Sequence, residues 1–132
     1  MRWNEQLATG ISTIDDEHRR MLEQIDIMLA ASRASETASV QLSLAEFDNH
    51  VREHFRVEET AMRAAKYPEV ATHAAQHSIL RSYANDLRRA VSAYGAQPDV
   101  LEVAARLVAN AIVSHMELYD RELAAFLRLE RA

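Results

Sequence analysis

The chain has no cysteine. Disulfides, a thiolate nucleophile and thiolate metal ligands are therefore excluded, and any bound metal must be held by nitrogen and oxygen. Glycine and proline are scarce, with two of each in 132 residues, which favours long uninterrupted helices. A basic surface is missing as well. The formal net charge is −5 and no lysine/arginine cluster offsets it, which argues against nucleic acid as a partner. No apolar run approaches the ~20 residues that a membrane span requires. The opening residues, Met1-Arg2-Trp3-Asn4-Glu5, lack the apolar core of a secretory signal. These absences predict a cytoplasmic, all-α protein with no membrane association. An apolar content of 48% and a charged content of 27% suit one compact domain over residues 1–132.

What is present is helical periodicity. Residues 1–12 have no clear period and read as an N-terminal arm, with Trp3, Leu7 and Ile11 available to pack it across the domain. Ser12 or Thr13, followed by Asp15 and Asp16, reads as a helix start with acidic residues in the first turn. The first helix presents Ile14, His18, Met21, Ile25 and Met28, and ends at about residue 34. A small polar turn, with Thr37 as a cap, leads into a second helix. Its seam is Val40, Leu44, Phe47, Val51, His54, Glu58, Ala61 and Ala65, with Met62 beside it, and it ends at about Lys66. Tyr67-Pro68 stops this helix and starts the next. The third seam is Val70, His73, His77, Leu80, Ala84, Leu87, Val91 and Tyr94. Gly95-Ala96-Gln97-Pro98 repeats the break. A fourth helix then presents Leu101, Ala104, Val108, Ala111, Ile112 and His115. Four amphipathic helices joined by short turns predict an antiparallel up-down-up-down four-helix bundle.

The histidines carry the functional signal. His54 and Glu58, four apart, share one face of the second helix, and His73 and His77 share one face of the third. An ionised glutamate alone on an apolar face is costly; a metal ion offsets that cost and uses imidazole as a ligand. Helical rise allows the heights to be compared. Counted from the shared turns, His18, His54/Glu58, His73/His77 and the His115–Asp120 segment fall within roughly 6 Å of one level. His50 is two turns from Glu58 and reads as a flanking residue, and Glu59, one step off the seam, reads as solvated. Five imidazoles with Glu58 and Asp120 exceed the four ligands of a zinc ion. They suit a pair of metals. If both carboxylates bridge and an oxide or hydroxide bridges as well, two six-coordinate ions are left with one open position. Imidazole with carboxylate favours iron or manganese over calcium or magnesium.

The pattern resembles the hemerythrin family in its bacterial single-domain form. The matching residues are Trp3, Gly10-Ile11, Ile14-Asp15-Asp16-Glu17-His18, His54-Phe55 with Glu58-Glu59 and Met62, Tyr67-Pro68, His73-x-x-x-His77 and His115-x-x-x-x-Asp120. Glu17 departs from the glutamine that related chains often carry there. The resemblance implies two iron ions with an oxo or hydroxo bridge: one held by His73, His77 and His115, the other by His18 and His54, with Glu58 and Asp120 bridging. It implies that O2 binds at the second iron, for storage, delivery or sensing, with no catalytic residues. Met21, Phe55 and Ile112 are the candidates for the O2 pocket wall. Asp120 lies five residues after His115, off the ideal helical face, so its bridging role implies a local helix distortion or an oblique reach. The alternatives are a di-iron enzyme acting on peroxide or nitric oxide, and an oxygen- or redox-responsive module signalling to a separate protein partner.

Overall fold

The structure is a computed structural model and describes residues 3–95 and 97–130. A short 3₁₀ turn, Glu5–Leu7, precedes five α-helices: α1 Ser12–Arg33, α2 Thr37–Ala64, α3 Val70–Tyr94, α4 Pro98–His115 and α5 Arg121–Glu130. Between α4 and α5, Met116–Asp120 forms one π-helical turn, so α5 continues α4. The described residues contain no strand. Helix α1 packs against α2, α2 against α3, α3 against α4, and α4 closes the ring against α1. Short connections reverse the chain at each step, which makes the four-helix bundle antiparallel. Among the described residues no helix is long and apolar enough to cross a membrane.

Two turns share one device. Ser35 and Lys66 adopt φ of 58° and 55° and end α1 and α2. In each, the amide of the following residue reaches back over one helical turn: Glu36 N–H to the Ala31 carbonyl at 3.0 Å and Tyr67 N–H to the Met62 carbonyl at 2.9 Å. These are Schellman closures built without glycine. Gly95, at φ 72° and ψ −168°, ends α3 in a region that only glycine occupies freely. Pro98 opens α4, as the Gln97-Pro98 break predicts.

The expected helix start at Ser12 is present, but its cap is different. Ile11 is the flanking residue and offers no side-chain bond. Asp15 instead turns back and accepts from the Thr9 amide at 2.9 Å and the Thr9 hydroxyl at 2.8 Å. Thr37 begins α2 without capping it. The arm packs as expected, with Leu7 and Ile11 buried and Trp3 half-buried beneath the Arg19 guanidinium, 4.0 Å from its ring centre.

Two seams are corrected. Ala61 is exposed and Ala65 half-buried, because the buried face of α2 passes through Met62 after Glu58. On α4 the buried positions are Ala105 and Ala109, while Ala104 and Ala111 sit at the flank. The Tyr94 side chain lies outside what is described. The main apolar core runs from Met28, Val40, Phe47, Leu87 and Val108 to Phe55, Ile112 and Met116. A second cluster of Met62, Tyr67 and Leu123 lies toward the α2–α3 turn. Between the two is a polar layer.

Candidate metal centre

Each helix contributes to that layer at a position dictated by its seam. His18 comes from α1, His54 and Glu58 from α2, His73 and His77 from α3, His115 from the end of α4, and Asp120 from the π turn. All of these side chains are buried. Asp120 reaches the layer through the distortion that the resemblance implied. On a regular α-helix, residues five apart diverge by about 140°. The π turn removes that divergence, and Asp120 Oδ1 lies 2.9 Å from His115 Nε2.

The donor atoms form two overlapping groups whose members lie within 4.8 Å of one another: Glu58, His73, His77, His115 and Asp120; and His18, His54, Glu58 and Asp120. Both carboxylates belong to both groups, and each divides its oxygens between them. Glu58 Oε1 lies 2.7 Å from His73 Nε2 and 3.0 Å from His77 Nε2, while Oε2 lies 3.2 Å from His54 Nε2. Asp120 Oδ1 lies 3.1 Å from His73 Nε2, while Oδ2 lies 2.9 Å from His18 Nε2.

These separations are hydrogen-bond lengths, yet most lack hydrogen-bond angles. Nε2 of His18, His54, His73 and His115, Glu58 Oε2 and Asp120 Oδ1 are buried without a hydrogen-bond partner. Buried polar atoms in native proteins are normally satisfied, so six such orphans aimed at common points fit a cation between them. His77 makes the same case differently. Its Nδ1–H donates to Glu59 Oε2 at 2.9 Å, so the neutral ring presents the Nε2 lone pair to the Glu58 carboxylate. Two acceptors facing each other require a positive charge.

The electrostatics agree. Burial and the charge of Asp120 push Glu58 upward, but His54, His73 and His77 outweigh them and hold it at about 2. Burial likewise opposes ionisation of Asp120, and His115, His18 and His73 hold it well below the usual carboxylate range. Burial lowers His73, but Asp120 and Glu58 raise it to about 9. His54 is raised by Glu58 against its own burial. Without a metal, the raised His54 and His73 rings lie against the lowered Glu58 and Asp120 carboxylates; a cation substitutes for the protons on those two rings.

Met21, Phe55 and Ile112 line a small void beside His18, His54 and His115, joined by Leu80 and Met116, which the sequence did not single out; it has no room for a water-sized sphere. The Phe55 ring stacks on His77 at 3.9 Å between centroids and 5° between planes. His50 remains outside the donor groups, as expected, bonded to Gln24 and Glu17. Glu59 is a correction. It is largely buried and oriented on His77 rather than solvated, with Arg63 and Arg81 at 3.6 and 3.9 Å. Its step off the seam places it at the α2–α3 boundary, and only the neighbouring helix shows what stands there. The buried Asp48, clamped by Arg52 and Arg88, was also not legible in the periodicity.

A ring of antiparallel helices enclosing two imidazole–carboxylate donor groups defines a metal-binding helical bundle. The comparisons narrow the class. Residues 9–127 match the family described as "Hemerythrin HHE cation binding domain", and the chain belongs to that family. It is 32% identical over 77 residues to a bacteriohemerythrin of Pseudomonas paraeruginosa, covering 58% of this chain and 50% of that one. The same figures hold for a bacteriohemerythrin of Stenotrophomonas maltophilia. These matches therefore span about half the length of those curated relatives. A bacteriohemerythrin of Methylococcus capsulatus is 24% identical over 122 residues, 92% of each chain.

Proposed function

We propose that the chain forms a single hemerythrin-like domain that binds O2 reversibly at a di-iron centre, serving storage, delivery or sensing in the cytoplasm. In this reading His73, His77 and His115 hold one iron, His18 and His54 hold the other, and Glu58 and Asp120 bridge them. The supporting observation is the division of each carboxylate: one oxygen faces the three-histidine group and the other faces the two-histidine group. A carboxylate serving a single ion has no reason to be shared in this way. The unequal histidine count leaves the second group one ligand short, and Met21, Phe55 and Ile112 line a void that reaches both of its histidines, His18 and His54.

When bound, ferrous ions supply the electrons for reversible O2 capture. The protein's part is to hold the donors at fixed height and to exclude water. Every residue lining the void that is not a candidate ligand is apolar: Met21, Phe55, Leu80, Ile112 and Met116. No group there can act as an additional acid or base, which favours binding over turnover. Water exclusion also limits proton-assisted irreversible oxidation.

The test is direct. The purified protein is loaded with ferrous ion without oxygen, assayed for iron, and exposed to O2. Two iron ions per chain and a visible absorption band that disappears on deoxygenation are expected. One ion per chain, or conversion to the ferric form without such a band, overturns the proposal.

A further inference from the structure

A second cavity, of about 250 Å³, opens at the surface between α1, α2 and α5. It is separate from the void beside Met21. One wall is a single face of α2, where His50, Glu53, His54, Val57 and Glu58 recur at helical spacing. Its inner end is formed by His54 and Glu58, each more than nine-tenths buried, and both His54 Nε2 and Glu58 Oε2 lack hydrogen-bond partners. The cavity therefore runs from solvent to the side chains of His54 and Glu58, whose unpartnered Nε2 and Oε2 are themselves out of solvent contact.

Its rim carries a carboxylate–imidazole pair, Glu17 and His50. The Gln24 side-chain oxygen takes up His50 Nδ1 at 3.0 Å, so in the neutral ring the lone pair lies on Nε2. That nitrogen abuts the Glu17 carboxylate. The carboxylate oxygen and the ring nitrogen stand together at the cavity mouth, where one cation can take both as ligands. Glu53, the other rim carboxylate, is engaged by Arg56 at 2.6 and 3.0 Å, which leaves the half-exposed Glu17 and the mostly buried His50 as the oxygen–nitrogen pair at the rim.

We propose that this cavity is the entry route for the divalent cation and that Glu17 and His50 form the first protein site it meets. The inference rests on the metal-centre reading above. A hydrated cation arriving at the rim exchanges water for the Glu17 oxygen and His50 Nε2. It then passes the Val57 wall to His54 and Glu58. A carboxylate at the mouth also raises the local cation concentration, which acts on rate rather than on final occupancy.

The experiment follows Co²⁺ uptake by metal-free protein in a stopped-flow spectrometer, with the final Co²⁺ content measured separately. Glu17→Gln removes the rim charge, and Val57→Trp narrows the passage from a half-exposed position; circular dichroism confirms that both fold. Each variant is expected to take up Co²⁺ about tenfold more slowly than the parent, with the same final content. Parental rates in both variants overturn the route. A reduced final content in Glu17→Gln also overturns it, since Glu17 then shapes the donor groups instead of the path. A parent protein that holds no Co²⁺ defeats the metal reading itself, and is thereby distinguished from failure of the route alone.

Discussion

Replacing Glu59 separates charge from geometry at the metal centre. Glu59 accepts from His77 Nδ1–H at 2.9 Å, which fixes the ring's tautomer and aims Nε2 into the layer. Glu59→Gln keeps an acceptor oxygen and loses the charge. Glu59→Leu loses both. Outer partners of ligating histidines contribute roughly 10–100-fold to metal affinity. The Arg63 and Arg81 guanidinium groups at 3.6 and 3.9 Å already offset part of the Glu59 charge. The Gln variant therefore falls at the low end, about tenfold or 1.4 kcal/mol, and the Leu variant near 100-fold or about 2.7 kcal/mol. The Leu variant also leaves the His77 Nδ1–H buried and unsatisfied, which costs the metal-free protein about 1–3 kcal/mol. Competition against a chelator of known affinity measures the first quantity, and urea unfolding of metal-free protein the second. Parental Co²⁺ affinity in both variants refutes the argument, because His77 would then be aimed without Glu59.

Three other outcomes are expected. Lys66→Gly relieves a residue at φ 55° and stabilises the fold by about 1 kcal/mol, read as a higher urea midpoint. Ile112→Ala opens the apolar void, destabilises by about 3 kcal/mol and hastens irreversible oxidation of iron-loaded protein, read as a shorter lifetime of the O2-dependent band; an unchanged lifetime removes Ile112 from the pocket wall. The metal-free protein responds to pH in two ranges. His73, raised from 6.5 to about 9, contributes stability that is complete below pH 6.5 and lost as pH climbs through 9. Glu58, lowered from 4.5 to about 2, contributes stability that is present above 4.5 and lost as pH falls through 2. The layer is therefore most stabilising without metal between pH 4.5 and 6.5. Metal must displace the His73 proton, so the rise in melting temperature on metal addition grows from pH 6.5 to 9. A metal-free melting temperature that increases over that interval contradicts the assignment.

The amino-acid sequence alone determined the helices, their breaks and the level at which the histidines meet. That information is one-dimensional. Seam spacing sets which residues face inward, and a constant rise per residue turns residue counts into heights. His54, Glu58, His73 and His77 were legible for this reason, and so was the turn at Tyr67-Pro68. The height of Asp120 was legible from residue counts, but its facing the layer rested on family resemblance, because regular helical geometry points it about 140° from His115. The π turn that resolves this conflict belongs to the folded chain.

Other features depended on what stands across a helix boundary. Glu59 looks solvated on its own helix and becomes His77's partner only when α3 packs beside it. Asp48 is buried because Arg88 arrives from a distant segment. The division of each carboxylate's oxygens between two histidine groups, and the opening of a cavity onto His54 and Glu58, have no counterpart in spacing. Periodicity specifies the face on which a side chain lies, whereas the direction of an oxygen or a lone pair is settled by neighbours that sequence distance does not place.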